Sequence, residues 1–199
     1  MAIRESDARA VALSTTVVAQ VAPTDLERPT PCAGWSVRDL LLHMAAQHHG
    51  FAAAARGGSV GPADWSASAA DVADPVGAYP GAAAEVVEAF ASADLDTAQL
   101  TLPDFGAMTF PAPRAISFHF IDYLVHAWDV GVSVGVPVRP DDDLLQPAVE
   151  ITRAVPAGDA RTRPGAAFAP VLDGVAAEPD AWRRVLRMLG RDPDWQPPA

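Results

Sequence analysis

Four side chains that can bind a proton or a metal fall within one apolar, helix-forming stretch, His119-Phe120-Ile121-Asp122-Tyr123-Leu124-Val125-His126-Ala127-Trp128-Asp129. With His119 at zero and about 100° of rotation per residue, Asp122 falls near 300°, His126 near 340° and Asp129 near 280°. All four share a stripe roughly 80° wide. An unpaired polar group inside a protein costs about 1–3 kcal/mol, and an unpaired charge more. A bound cation is the economical partner for such a stripe.

Asp122 and His126 stand at i and i+4, the spacing with which one helical face grips a metal. A third ligand is available on another helix: His43, inside Leu40-Leu41-Leu42-His43-Met44-Ala45. Three ligands of N, N, O type leave positions open to water or substrate, the catalytic arrangement and not the closed structural one. The plain alternative is an i, i+4 hydrogen-bonded pair on one helix and a core histidine on the other. His119 reads as a catalytic proton carrier, a fourth ligand or a surface residue. Asp129 reads as a second catalytic group or as the holder of a ligand histidine's other nitrogen. His48 and His49 point about 140° and 120° away from His43 to either side, and are expected at the site rim or in solvent. Cys32, in a Pro- and Gly-flanked turn, reads as a buried structural cysteine. Arg114 is the candidate contact for an anionic group of a cofactor or substrate.

These residues need helices to hold them. A first helix is expected over 4–22, stopped by Pro23. Glu27 to Trp35 is a proline-stiffened connection. Ser36-Val37-Arg38-Asp39 has the form of a capping box, opening a helix to about Arg56 that Gly57-Gly58 ends. Residues 57–74 read as a long loop, with at most a short turn of helix. A third helix runs from Asp74-Pro75 to about Ala93, with Pro80-Gly81 breaking or delaying it. Leu100–Pro103 and Met108–Pro111 flank Asp104-Phe105-Gly106 as two short extended segments. The histidine-bearing helix spans about Pro113 to Val134. Shorter helices follow over 141–155 and 179–189, with 156–177 irregular. The expected architecture is an all-α four-helix bundle with short additional helices and a small two-stranded segment, forming a single domain over 1–199.

Composition narrows the partners. Twenty-five acidic and 14 basic side chains leave a formal net charge of −11. That balance disfavours nucleic acid and anionic membrane surfaces, and suits a small-molecule substrate or another protein. One cysteine excludes an internal disulfide and fits a cytoplasmic setting. The N-terminus has no basic region followed by an apolar run, so no signal peptide is expected. A homodimer is compatible with such a bundle. The chain has no G-x-S-x-G elbow, phosphate-binding glycine loop or dinucleotide fingerprint.

Arg28 to His43 resembles the opening Thr-Pro-Cys-x-Gly-Trp-Ser/Thr-Val-Arg-Asp-Leu-x-x-His of the mycothiol-dependent maleylpyruvate isomerase N-terminal family, part of the DinB-like superfamily. Asp122 to Val130 resembles its acid-x-x-x-His-x-Trp-Asp signature. Gly190-Arg191-Asp192-Pro193-Asp194-Trp195 is similar to the ending of a subgroup described as actinobacterial metal-binding proteins. The resemblance implies a four-helix bundle and a divalent metal, zinc first and nickel, iron or manganese as alternatives, on His43, Asp122 and His126. It also implies the thiol cofactor mycothiol. Asp122 stands where the isomerase has Glu, one methylene longer, and the chain has no room for the isomerase's second domain. The expected function is therefore a metal- and thiol-dependent transferase or isomerase. The alternatives are a metal-dependent hydrolase or natural-product tailoring enzyme without a thiol, and a non-catalytic metal-binding protein. The thiol reading requires cations such as Arg114 and Arg38 to line the site.

Overall fold

The computed structural model describes residues 2–57, 61–103, 106–162 and 166–198. Its long helices are α1 (Ile3–Val18), α2 (Val37–Ala55), α4 (Pro75–Ser92) and α5 (Ala112–Val134). The five-residue α3 (Ala69–Ala73) precedes α4, and α6 (Asp142–Arg153) and α7 (Ala181–Met188) follow α5. Among the described residues no helix is long and apolar enough to cross a membrane.

The long helices form a four-membered ring. α1 packs on α5 and α4, and α2 packs on the same two from the other side. Apolar residues at helical spacing supply the seam: Ala10, Val11, Val17 and Val18 from α1, Leu40, Leu41 and Met44 from α2, Tyr79 and Ala83 from α4, and Phe120, Ile121 and Leu124 from α5. Stripes with this period bury one helix face, and α5, apolar on several faces, is buried along most of its length. A second apolar cluster gathers Phe51, Val86, Phe90 and Ile116 beneath a hairpin. That hairpin is β1 (Gln99–Leu102) against antiparallel β2 (Met108–Pro111), with Leu100 opposite Phe110 and Leu102 opposite Met108. The two extended segments match the sequence expectation; Asp104 and Phe105 of the expected turn lie outside the described residues.

Two boundaries differ from expectation. α1 ends at Val18, before Pro23, and Pro23 instead opens a short 3-10 turn. Pro80 does not interrupt α4, which runs unbroken from Pro75 to Ser92. Its ring lies on the exposed side, while Tyr79, Ala82 and Ala83 face the interior. The carbonyl that Pro80 leaves without a donor is therefore on the solvent side, where water can serve it, and the buried face holds the helix together.

The start of α2 follows the expected capping box. The Asp39 backbone N–H donates to Ser36 Oγ at 3.2 Å, and the Ser36 N–H donates to Asp39 Oδ2 at 2.9 Å. α5 stops at Gly135, whose φ of 80° is the left-handed conformation that glycine adopts without strain. The chain then folds back so closely that a Cβ on Gly131 would lie 2.6 Å from the Val136 carbonyl oxygen.

Candidate metal centre

His43 on α2 and Asp122 and His126 on α5 converge where those helices meet. One ligand atom from each lies within 4.8 Å of the others. His126 Nε2 stands 3.4 Å from Asp122 Oδ1. Two ligands about 2.0–2.1 Å from a tetrahedral ion are ~3.4 Å apart, so this pair already has the spacing of a coordination edge. The His43 and His126 rings meet edge to face, with centroids 5.5 Å apart. His126 is nearly buried, and Asp122 keeps 22% of its side chain exposed. The centre therefore opens toward solvent on the Asp122 side.

The far side of the His126 ring is fixed. Its Nδ1 lies 2.9 Å from Asp129 Oδ2. With the proton on Nδ1 donated to that carboxylate, the Nε2 lone pair faces His43 and Asp122, the orientation a metal ligand needs. Asp129 is fully buried, and the same Oδ2 also accepts from Arg191 Nη2 at 3.2 Å and from the Cys32 thiol at 3.4 Å. Burial alone would raise the Asp129 carboxyl; the Arg191 charge and the His126 hydrogen bond hold it below the usual carboxylate value. Burial would likewise depress His126, yet the Asp122 charge and the Asp129 and Cys32 contacts hold it well above 6.5. Without a metal, these contacts favour the protonated form of His126.

Cys32, His126 and Asp129 form a second cluster of ligand type. The Arg191 guanidinium, 3.2 Å from Asp129 and 3.6 Å from Cys32 Sγ, already takes the place of a cation there. The set with His43 and Asp122 is the better candidate. Its third helix-borne member is steadied by the turn before α2. The Thr30 N–H and hydroxyl both donate to the Trp35 carbonyl at 3.1 and 3.0 Å, Gly34 takes φ 82°, and Pro29 pairs with Ser36. That turn brings Cys32 to Asp129 and places the Trp35 ring 4.8 Å from the His43 ring.

His119 lies elsewhere. Seven residues separate it from His126, about 10 Å of helix rise, so a shared stripe does not mean a shared site. It is fully buried, its Nδ1 2.7 Å from Asp7 Oδ1 and its Nε2 3.2 Å from His48 Nδ1. His48 is also fully buried and stacks on Tyr123 at 4.0 Å, so it is neither a rim nor a solvent residue. The Tyr123 hydroxyl donates to the Met44 carbonyl, and Ser14 and Tyr79 share a hydroxyl contact at 3.0 Å. This second polar centre ties α1, α2 and α5 together. His49 is partly exposed and sits between Glu85 at 2.7 Å and Asp71 at 3.1 Å.

The expected cations are engaged away from the centre. Exposed Arg114 lies over the Phe118 ring at 5.1 Å, and Arg38 reaches Glu27 at 3.4 Å. Cys32 is half-buried and bonded to Asp129, which gives it a polar role beyond packing. Two residues escaped the sequence reading. Asp7 shares a helical stripe with Ala10, Val11 and Ser14 of α1, all buried, and that spacing was a usable signal for an inward carboxylate. Arg191 stands in a recognisable Gly-Arg-Asp-Pro motif, but nothing local says that it reaches a residue 62 positions earlier.

A family model described as the mycothiol maleylpyruvate isomerase N-terminal domain matches residues 8–131, which contain His43, Asp122 and His126. Two uncharacterized proteins of Mycobacterium tuberculosis, from strains CDC 1551 / Oshkosh and ATCC 25618 / H37Rv, are each 31% identical over 157 residues. The alignments cover 77% of this chain and 78% of each relative. No solved structure matches significantly. With a family model spanning more than half of its length and an all-α bundle behind it, the chain belongs to the mycothiol maleylpyruvate isomerase N-terminal domain family.

Proposed function

We propose that this chain is a small-molecule enzyme that holds one divalent ion, zinc by preference, on His43, Asp122 and His126, and uses it in thiol-dependent transfer or isomerisation. The observation that carries the reading is the His126 ring, set by Asp129 so that its Nε2 meets Asp122 at a coordination-edge distance. A divalent ion there would supply Lewis-acid chemistry, acidifying a thiol or water or polarising a carbonyl. The protein's share is positional. Asp129 fixes the ring and takes up the Nδ1 proton's partial charge, Arg191 keeps Asp129 anionic, and the partly open Asp122 side admits the substrate. Family membership supports mycothiol as the thiol. The sealed position of His119 makes it a scaffold residue in this reading and not a proton carrier to substrate.

One observation favours a second reading, a metal-dependent hydrolase or tailoring enzyme without a thiol. Arg38 and Arg114, the cations expected to receive a thiol cofactor's carboxylate, are occupied by Glu27 and Phe118. A hydrolase in turn needs a general base beyond the ligands, and Asp129 is committed to three donors.

Metal analysis of the purified protein tests the shared premise. About one ion per chain is expected, lost in His43→Ala and His126→Ala. A protein that refuses zinc, nickel, iron and manganese would end both readings. Titrating the cobalt-substituted protein with mycothiol then separates them: a sulfur-to-cobalt charge-transfer band supports the thiol reading, and its absence beside hydrolytic turnover supports the other.

A further inference from the structure

Trp35 is one of few large apolar side chains left exposed among the described residues, at 38%. The other tryptophans near the core, Trp128 and Trp182, are buried to 7% and 3% exposure. Trp35 is not loosely held. Its backbone N–H donates to the Cys32 carbonyl at 3.0 Å, its carbonyl accepts twice from Thr30, and the next residue is the N-cap of α2. The turn therefore presents a rigid indole, partly in water, with its ring 4.8 Å from His43 and tilted 57° to it.

Beside the candidate centre, the Trp35 ring packed on His43 is exposed and the Asp122 carboxylate is partly exposed. Behind His126, the centre is closed by Asp129, Arg191 and Cys32. A ligand that reaches the centre on the His43 side meets the indole. An exposed aromatic wall next to a polar anchoring point is the arrangement of a site that fixes one atom and recognises a flat apolar group attached to it.

We propose that Trp35 determines specificity by stacking against the substrate, so that the site selects ligands carrying an aromatic or conjugated planar group next to the ligating atoms. The inference rests on the metal reading above. Aromatic pairs of this kind shift affinity by about 2–13-fold beyond simple area burial.

The test uses the cobalt-loaded protein with two chelating probes that share a metal-binding head, acetohydroxamate and benzohydroxamate. Wild type is expected to prefer the aromatic probe, and Trp35→Ala to lose about 3–10-fold of that preference while its acetohydroxamate affinity holds. Trp35→Phe should keep most of the preference. Equal affinities of wild type for the two probes overturn the proposal without any variant, which covers the case in which Trp35→Ala does not fold. A Trp35→Ala protein that weakens both probes alike also overturns it, because the indole would then serve only to pack His43. If wild type binds cobalt and fails these tests, the metal reading stands and this inference falls. If wild type binds no metal, both fall together.

Discussion

Replacing Asp7 with alanine should destabilise the fold through a count of protons. His119 and His48 are fully buried, and each neutral imidazole carries one N–H. Two acceptors serve them: the Asp7 carboxylate, 2.7 Å from His119 Nδ1, and a ring nitrogen across the 3.2 Å His119–His48 contact. His48 Nε2 has no partner among the described groups. In Asp7→Ala the two rings can share only one hydrogen bond, so in every tautomer one buried N–H is stranded. A stranded buried donor costs about 1–3 kcal/mol. For a chain of this size that lowers the melting temperature by roughly 2–4 °C per kcal/mol. Calorimetry in the presence of a chelator reads the effect apart from any metal. In a His119→Phe background Asp7 is a buried carboxyl that has lost its partner, so Asp7→Ala should there be neutral or stabilising, leaving a coupling of at least about 1–3 kcal/mol. An Asp7→Ala protein as stable as wild type, or two substitutions whose costs simply add, would refute the proton count.

Burial holds His48 well below 6.5 in the fold. The unfolded chain therefore takes up a proton that the fold refuses, and stability should fall as pH drops below about 6.5, at up to ~1.4 kcal/mol per pH unit for that site; urea titrations of His48→Phe should show a flatter acid limb. His126 works in the opposite sense, because its raised value gives stability that is full below 6.5 and lost as pH rises through the folded value. Because the apo fold favours the protonated ring, ion binding at Nε2 should release protons; calorimetry in buffers of different ionisation heat would expose a release of zero. Asp129→Asn should weaken metal binding about 10–100-fold by loosening the His126 ring, read by competition with a chromophoric chelator, and unchanged affinity would remove Asp129 from the site.

Much of the frame could be read from residue order. The Ser36–Asp39 box, the apolar spacing of α2 and α5 and the turn residues between β1 and β2 are local signals, and local signals survive without tertiary knowledge. The placement of His43 opposite Asp122 and His126 came from pattern and resemblance, and the helices do bring those residues together. What failed depended on what lay across from each residue. His48 was expected at the rim or in solvent, but α2 is packed on both α4 and α5, and the His48 ring lies buried against Tyr79 and Tyr123. His119 shares a stripe with His126, yet angle alone says nothing of height along the helix. Pro80 obeys its local rule in losing a donor, but the loss falls on the wet side. Asp7 and Arg191 act on partners 112 and 62 residues away, a reach that no short window contains.

The turn from Pro29 to Ser36 is a single braced piece, and it touches the centre at two places: the Trp35 ring lies against His43, and the Cys32 thiol lies on Asp129. One end of the turn thus meets the His43 imidazole and the other the carboxylate that holds His126. The same short braced segment therefore supplies both the surface beside His43 and the thiol beside Asp129.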